Sequence, residues 1–170
     1  MKKVLRIASV SLSICLGFLF IFTTPTSTLG IENKNIPVAI DYEAIKDQLA
    51  QDVFNKINEA RKKKGLTSYN WNEDIEEIAN KRAKGISKCF KHNLPDGRSF
   101  EGLYFDSMIP YSYVGENIAY GYTSADSVVN AWLKHSMHRD LIYSPVFSDC
   151  TIGVFVNSSG RIYFAAEFYK

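Results

Sequence analysis

At 170 residues, 46% hydrophobic and 14% aromatic, the chain is long enough for one compact domain with a sizeable core and too short for two of ordinary size. That composition excludes an intrinsically disordered chain, and no repeat or low-complexity tract interrupts the sequence. Lys2, Lys3 and Arg6 are the only charges in residues 1–30; setting these three aside takes the 20 basic residues to 17 against 18 acidic ones, a net of −1. Nucleic-acid binding needs a basic patch. Only Arg61-Lys-Lys-Lys64 approaches one, and it falls at an expected helix C-terminus, where cations favour the helix dipole. No nucleic-acid partner is expected.

Residues 1–30 have the layout of a secretory signal peptide. Lys2, Lys3 and Arg6 precede an uncharged apolar run from Ala8 to Phe22, Pro25 ends it, and Thr28 and Gly30 are small residues before a cut after Gly30. The run is short for a membrane span, so no stable span is expected after cleavage; an uncleaved anchor is the alternative. Cys15 lies inside the run, and the bulky Ile14 before it suits a lipoprotein cut poorly. The remaining Cys89 and Cys150 form an even pair in an oxidising exterior, which suggests a disulfide. On the chain-entropy view such a bridge contributes about 4 kcal/mol.

Residues 31–47 read as a lead-in, and the domain proper as 48–170. Ile45, Leu49, Val53, Ile57 and Ala60 recur at helical spacing, with Gly65 placed to end the helix. After Trp71, a second helix carries Ile75, Ile78, Ala79, Ala83 and Ile86 on one face and ends near Lys88. From His92 to Tyr122, Gly97, Gly102, Gly115, Gly121, Pro95 and Pro110 indicate an irregular region. Ser124 is a good N-cap, with Asp126 in the first turn, for a third helix burying Val128, Val129, Trp132 and Leu133. A short helical turn fits between His138-Arg139 and Pro145. Thr151–Val156 and Arg161–Phe168 are rich in β-branched and aromatic residues, with Asn157–Gly160 as the turn of a hairpin. Helices followed by an antiparallel hairpin, without a βαβ rhythm, indicate an α+β fold.

Several pieces of this sequence occur in a familiar order. Val53-Phe-Asn-Lys-Ile-Asn-Glu-Ala-Arg61 is followed by Leu66 and Trp71, then by Phe90-Lys-His92 with Pro95-Asp-Gly97. Gly115-Glu-Asn-Ile-Ala119, Ala131-Trp132, His138-Arg139, Ile152-Gly-Val154 and Glu167-Phe168 complete the series. In this order they resemble the CAP superfamily (cysteine-rich secretory proteins, antigen 5 and pathogenesis-related 1), in its bacterial SCP-like extracellular branch. The resemblance implies an α-β-α sandwich, with a small antiparallel sheet between helical layers, and a surface cleft carrying two histidines and two acids. Some members bind a divalent metal there. By motif, His92 takes the first histidine, Glu116 the acid of the Gly-Glu-Asn motif and His138 the second histidine. The second acid of animal and plant members falls on His135, as in bacterial relatives that lack an acid there, and the usual glycine before the second histidine is Met137.

The chain has three histidines, His92, His135 and His138, and all lie at or beside these motifs. Neutral imidazole is a common zinc ligand, and open zinc sites use three protein ligands plus water. His92, His135 and His138 are therefore candidate metal ligands for Zn2+ or another divalent cation. Glu116 would act as a fourth ligand, orient an imidazole from outside, or simply satisfy a loop around Gly115. Asn117 reads as a structural amide bonded to loop backbone, and Arg139 as a member of an ordinary surface pair, with an anchor for Glu116 or an acidic ligand as the alternative. Two functions follow. The chain is a secreted interaction module, cell-wall associated or released, that recognises an extracellular or cell-envelope protein, lipid or glycan through the His/Glu cleft. Alternatively it is a peptide or ester hydrolase, with Glu116 as catalytic general base on a metal-bound water, or a serine hydrolase using a hydroxyl such as Ser136.

Overall fold

The computed structural model describes residues 42–170. The expected signal peptide and residues 31–41 of the expected lead-in lie outside the described residues.

Helix α1 spans Tyr42–Lys63, so the regular structure already includes residues assigned to the lead-in. Val53 and Ile57 are fully buried and Ala60 nearly so. Ile45 is not part of this packed stripe: it is 51% exposed, one turn before contact begins at Leu49 and Ala50. Gly65 ends the helix at φ 71°, a left-handed conformation that suits glycine. Arg61 is not a surface cation. It is buried, stacks 3.5 Å over the Tyr69 ring and donates to the carbonyls of Thr67, Ile142 and Ser144.

A 3-10 turn, Glu73–Ile75, leads into α2, Glu76–Ile86. Its five expected core residues, Ile75, Ile78, Ala79, Ala83 and Ile86, are all buried. The helix lies very close to the sheet: a Cβ on Gly153 would sit 1.9 Å from the Ala79 carbonyl oxygen. Only glycine permits that approach.

The region from His92 to Tyr122 is more regular than its glycines suggest. It holds a short helix α3, Gly102–Asp106, and strand β1, Val114–Tyr120. Gly121 turns the chain out of β1 at φ 82°. Gly115, however, lies within the strand, where a Cβ would approach Leu141 and Phe147 at 3.0 Å. This glycine serves close packing, which composition cannot distinguish from a turn.

Ser124 caps α4, Ala125–Lys134, through a capping box with Ser127. His135 is extended, at φ −96° and ψ 127°, and separates α4 from α5, Ser136–Ile142. The hairpin forms as expected: β2, Asp149–Val156, and β3, Ile162–Tyr169. Asn157 Oδ1 accepts from the amides of Ser159 and Arg161 at its turn.

The sheet order is β1-β3-β2, antiparallel throughout. Alternation along the strands gives each face its own layer. Phe164, Ala166 and Phe168 pack with Val53, Ile57, Val128, Trp132 and Ile142 of α1, α4 and α5. Tyr163 and Ala165 join Ile118 beneath Ala83 and Ile86 of α2. The result is the expected α+β, α-β-α arrangement. Among the described residues no helix is long and apolar enough to cross a membrane.

The expected Cys89–Cys150 bridge is not formed; both are free thiols. A disulfide needs Cβ atoms roughly 3.5–4.5 Å apart with compatible directions. Cys150 is enclosed in the α1/α4 core on β2, opposite Phe168. Cys89 is half-buried in the turn after α2, its amide bonded to the Gly85 carbonyl.

Candidate functional site

The site forms around β1, an outer strand of the sheet. Pleating sends Glu116 and Ile118 toward α2, and Asn117 and Ala119 toward α4 and α5. Groups from opposite layers can therefore meet at one short stretch of strand.

On the α2 side, Glu116 has a fully buried side chain. The guanidinium of Arg82, 1% exposed, grips it with two bonds: Nε donates to Oε2, and Nη2 to Oε1 at 3.1 Å. Arg82 Nη2 also donates to the Lys91 carbonyl, fastening the segment that carries His92. His92 Nδ1 lies 2.8 Å from Glu116 Oε1, while the ring is 55% exposed. With Nδ1 donating to the carboxylate, Nε2 is left with a free lone pair; a carboxylate holding one imidazole nitrogen is the usual way to fix the tautomer of the other.

On the other side, Asn117 Nδ2 donates to the main-chain carbonyl of His138 at 3.0 Å, tying the start of α5 to β1. His138 and His135 face each other with ring centroids 5.7 Å apart. Burial, helped by the neighbouring His135 and His92, lowers the His138 pKa below the ordinary histidine value. A neutral imidazole is the result near neutral pH. His138 Nδ1 is buried and has no hydrogen-bond partner.

The structure thus brings His92 and Glu116 into direct contact and sets His138 and His135 on the adjoining layer. Glu116 is not a loop carboxylate: it is a strand residue whose oxygens are engaged by Arg82 and His92. Both of its oxygens are therefore already engaged. Arg139 does not anchor Glu116; its Nη1 reaches the Leu133 carbonyl at 3.4 Å. The anchor is Arg82, which the sequence reading passed over. Its signal was available: Arg82 falls between Ile78 and Ile86 on the apolar stripe of α2, where a cation demands a buried partner. Glu167 was likewise missed, although it follows Tyr163 and Ala165 at the period-two spacing of a buried strand face.

The imidazole donor set suits a divalent cation, but it is not gathered for one. Among the described residues no group of three or more His, Cys, Asp or Glu side chains is arranged to hold a metal ion. A cavity of about 550 Å³ lies elsewhere, between α1, α2 and β2, lined by Lys46, Trp71, Glu76, Lys84, Val154 and Phe155 among others, and it includes none of the histidines. His92 and His135 are exposed and His138 is half-buried.

A sequence profile of the cysteine-rich secretory protein family matches residues 54–168. The chain is 33% identical over 117 residues to YkwD of Bacillus subtilis, covering 65% of this chain and 43% of that protein. It is 23% identical over 131 residues to YlbC of the same organism, an uncharacterized membrane protein, covering 76% of this chain and 36% of YlbC. The chain therefore spans about two fifths of the length of these relatives. A crystal structure of an extracellular protein containing an SCP domain from Bacillus anthracis superposes with a TM-score of 0.69 at 19% identity, covering 75% of this chain and 42% of that one. On the profile match across most of its length, the chain belongs to the cysteine-rich secretory protein (CAP) family.

Proposed function

We propose that this chain is an extracellular interaction module whose recognition site is the rim formed by His92, His138 and His135. One observation carries the reading. Among the described residues, the buried side-chain nitrogen and oxygen atoms without a hydrogen-bond partner belong to Arg82, Asn117, His138 and Glu167. All four residues are at, or directly behind, the Glu116–Asn117 stretch of β1. Unsatisfied buried polar groups are uncommon in folded proteins; of these four, His138 is the half-buried one, and its unpartnered ring beside the exposed His135 supports a surface kept ready for polar contact. The ligand is an extracellular or cell-envelope protein, lipid or glycan.

A divalent cation such as Zn2+ fits the donor chemistry of this reading. His92 and His138 would hold it, His135 would assist, and Glu116 would orient His92; the bound ion would supply a Lewis-acidic contact for a ligand oxygen. Taking it up requires the rings to converge further. The hydrolase reading has less support. Glu116 is enclosed and committed to Arg82 and His92, so it is poorly placed as a general base. Ser136 opens α5, and no hydroxyl-to-imidazole hydrogen bond occurs among the described residues.

The test is calorimetric titration of Zn2+ into the purified protein and its His92→Ala and His138→Ala variants, with peptide and ester substrates assayed alongside. Each variant is expected to lose roughly tenfold or more in affinity, without turnover in any form. Equal zinc binding by all three proteins removes the cation. Turnover that disappears in Glu116→Gln while zinc stays bound would replace the module with an enzyme.

A further inference from the structure

Glu116 and Glu167 are direct cross-strand partners in the β1–β3 ladder. Both are buried, Glu167 completely, and both face the α2 layer. Two carboxylates opposed in this way are unfavourable unless something neutralises one of them. The available cation is Arg82, and its Nε and Nη2 already engage Glu116. Tyr104 from α3 donates its hydroxyl to Glu167 Oε2 at 3.0 Å. Glu167 Oε1 is left buried with no protein donor to receive.

A proton on Oε1 resolves all of this at once. A carboxylate oxygen with no donor is an orphan, but a carboxylic acid O–H is itself a donor, and the carboxylate of Glu116 is its cross-strand neighbour. We propose that Glu167 is held as a neutral carboxylic acid whose Oε1–H donates to the Glu116 carboxylate, and that it is the positioning residue keeping the Glu116 oxygens on Arg82 and His92. The assignment rests on the recognition-site reading only in giving His92 its importance; the acid–carboxylate pair stands on the sheet register and the orphaned oxygen. Every neighbour agrees. Arg82 from α2 and Glu116 from β1 form the ion pair, Tyr104 from α3 satisfies the second oxygen, and on β2 the cross-strand partner Thr151 has its hydroxyl bonded to the Asn72 backbone, while the Cys150 thiol on the opposite face adds no cation. Burial, followed by the charge of Glu116, raises the Glu167 pKa well above the ordinary carboxylate range.

A carboxyl whose folded pKa is raised contributes fully below the unfolded value of about 4.3, and that contribution is lost as pH rises toward the folded pKa. Above it the proton leaves for solvent and two buried anions share one guanidinium. Glutamine at position 167 would keep one donor for Glu116 and one acceptor for Tyr104 without a titrating proton.

The experiment is a pH titration of the full protein carrying 13C-labelled glutamate carboxyls, followed by NMR, with denaturant unfolding of wild type, Glu167→Gln and Glu167→Leu across the same range. Glu167 is expected to remain protonated through neutral pH. The Glu167 contribution to wild-type stability should fall as pH rises from about 4.3 toward the folded pKa, while Glu167→Gln matches wild type below that fall and lacks this decline; Glu167→Leu should be weaker than both. A Glu167 carboxyl that deprotonates near 4.3, in folded wild-type protein, overturns the proposal. So does a wild-type pH profile that Glu167→Gln reproduces throughout. Neither result depends on any variant folding poorly or on ligand binding, so the recognition-site reading is tested separately.

Discussion

The side-chain amide of Asn117 donates to the main-chain carbonyl of His138 across 3.0 Å, joining the middle of β1 to the first turn of α5. This bond sets the height of His138 relative to His92, whose own anchor, Glu116, is the preceding residue on the same strand. Adjacent strand residues thus hold histidines that arrive from opposite faces of the sheet. Asn117→Ala removes this buried donor from the His138 carbonyl and unties β1 from α5. The expected loss is about 1–3 kcal/mol, read as a lower denaturant midpoint, with His138 resonances broadened more than those of His92.

Arg82 and Glu116 form a buried ion pair, and such pairs are costly to break from one side. Arg82→Met should destabilise by about 3–5 kcal/mol. Arg82→Lys should not rescue it, because a point charge cannot reproduce the two bonds to Glu116 and the third to the Lys91 carbonyl. The double variant Arg82→Met/Glu116→Leu should recover much of the loss, giving a coupling energy of opposite sign to the single effects. Unfolding curves for the four corners of this cycle provide the check.

His138 sets an acid limit on the fold. Its folded pKa lies below the unfolded value of about 6.5 because burial and the neighbouring His135 and His92 disfavour the charge. A group with a depressed basic pKa contributes fully above its unfolded pKa and loses that contribution as pH falls through the window below it. Melting temperature should therefore decline between about pH 6.5 and the folded pKa. His138→Gln should flatten that part of the profile.

The approach of α2 to β2 allows no side chain at position 153. Gly153→Ala puts a Cβ against the rigid Ala79 carbonyl and the Asn80 amide, where no flexible group can yield. Destabilisation at or beyond the upper end of the 1–3 kcal/mol usual for overpacking is expected, roughly 3 kcal/mol or more. Gly115→Ala, meeting the side chains of Leu141 and Phe147, should cost less. Thermal melts of the two variants rank them directly.

Periodic elements were legible because one physical signal dominated each. The α2 stripe and the Ser124 cap announced their helices, and β-branched and aromatic residues announced the hairpin. β1 was not legible, since Gly115 reads as a turn residue until its neighbours Leu141 and Phe147 are known. In the site, the histidines and Glu116 were identifiable from their motifs, but the division of labour was not. The position of Arg82 on the α2 stripe signals burial but not its partner, and the role of Glu167 exists only through the β1–β3 register. The two cysteines illustrate the converse: an even count is a chemical opportunity, while bridging depends on geometry that the fold does not provide.

The central claim is that Glu116 fixes His92 so that Nε2 faces the rim with its lone pair free. Long-range 1H–15N correlation spectra of the histidine rings at neutral pH report this directly. His92 is expected to carry its proton on Nδ1, with Nε2 bare. A His92 ring protonated on Nε2 with a bare Nδ1 would contradict it, because Glu116 would then receive no proton from the ring.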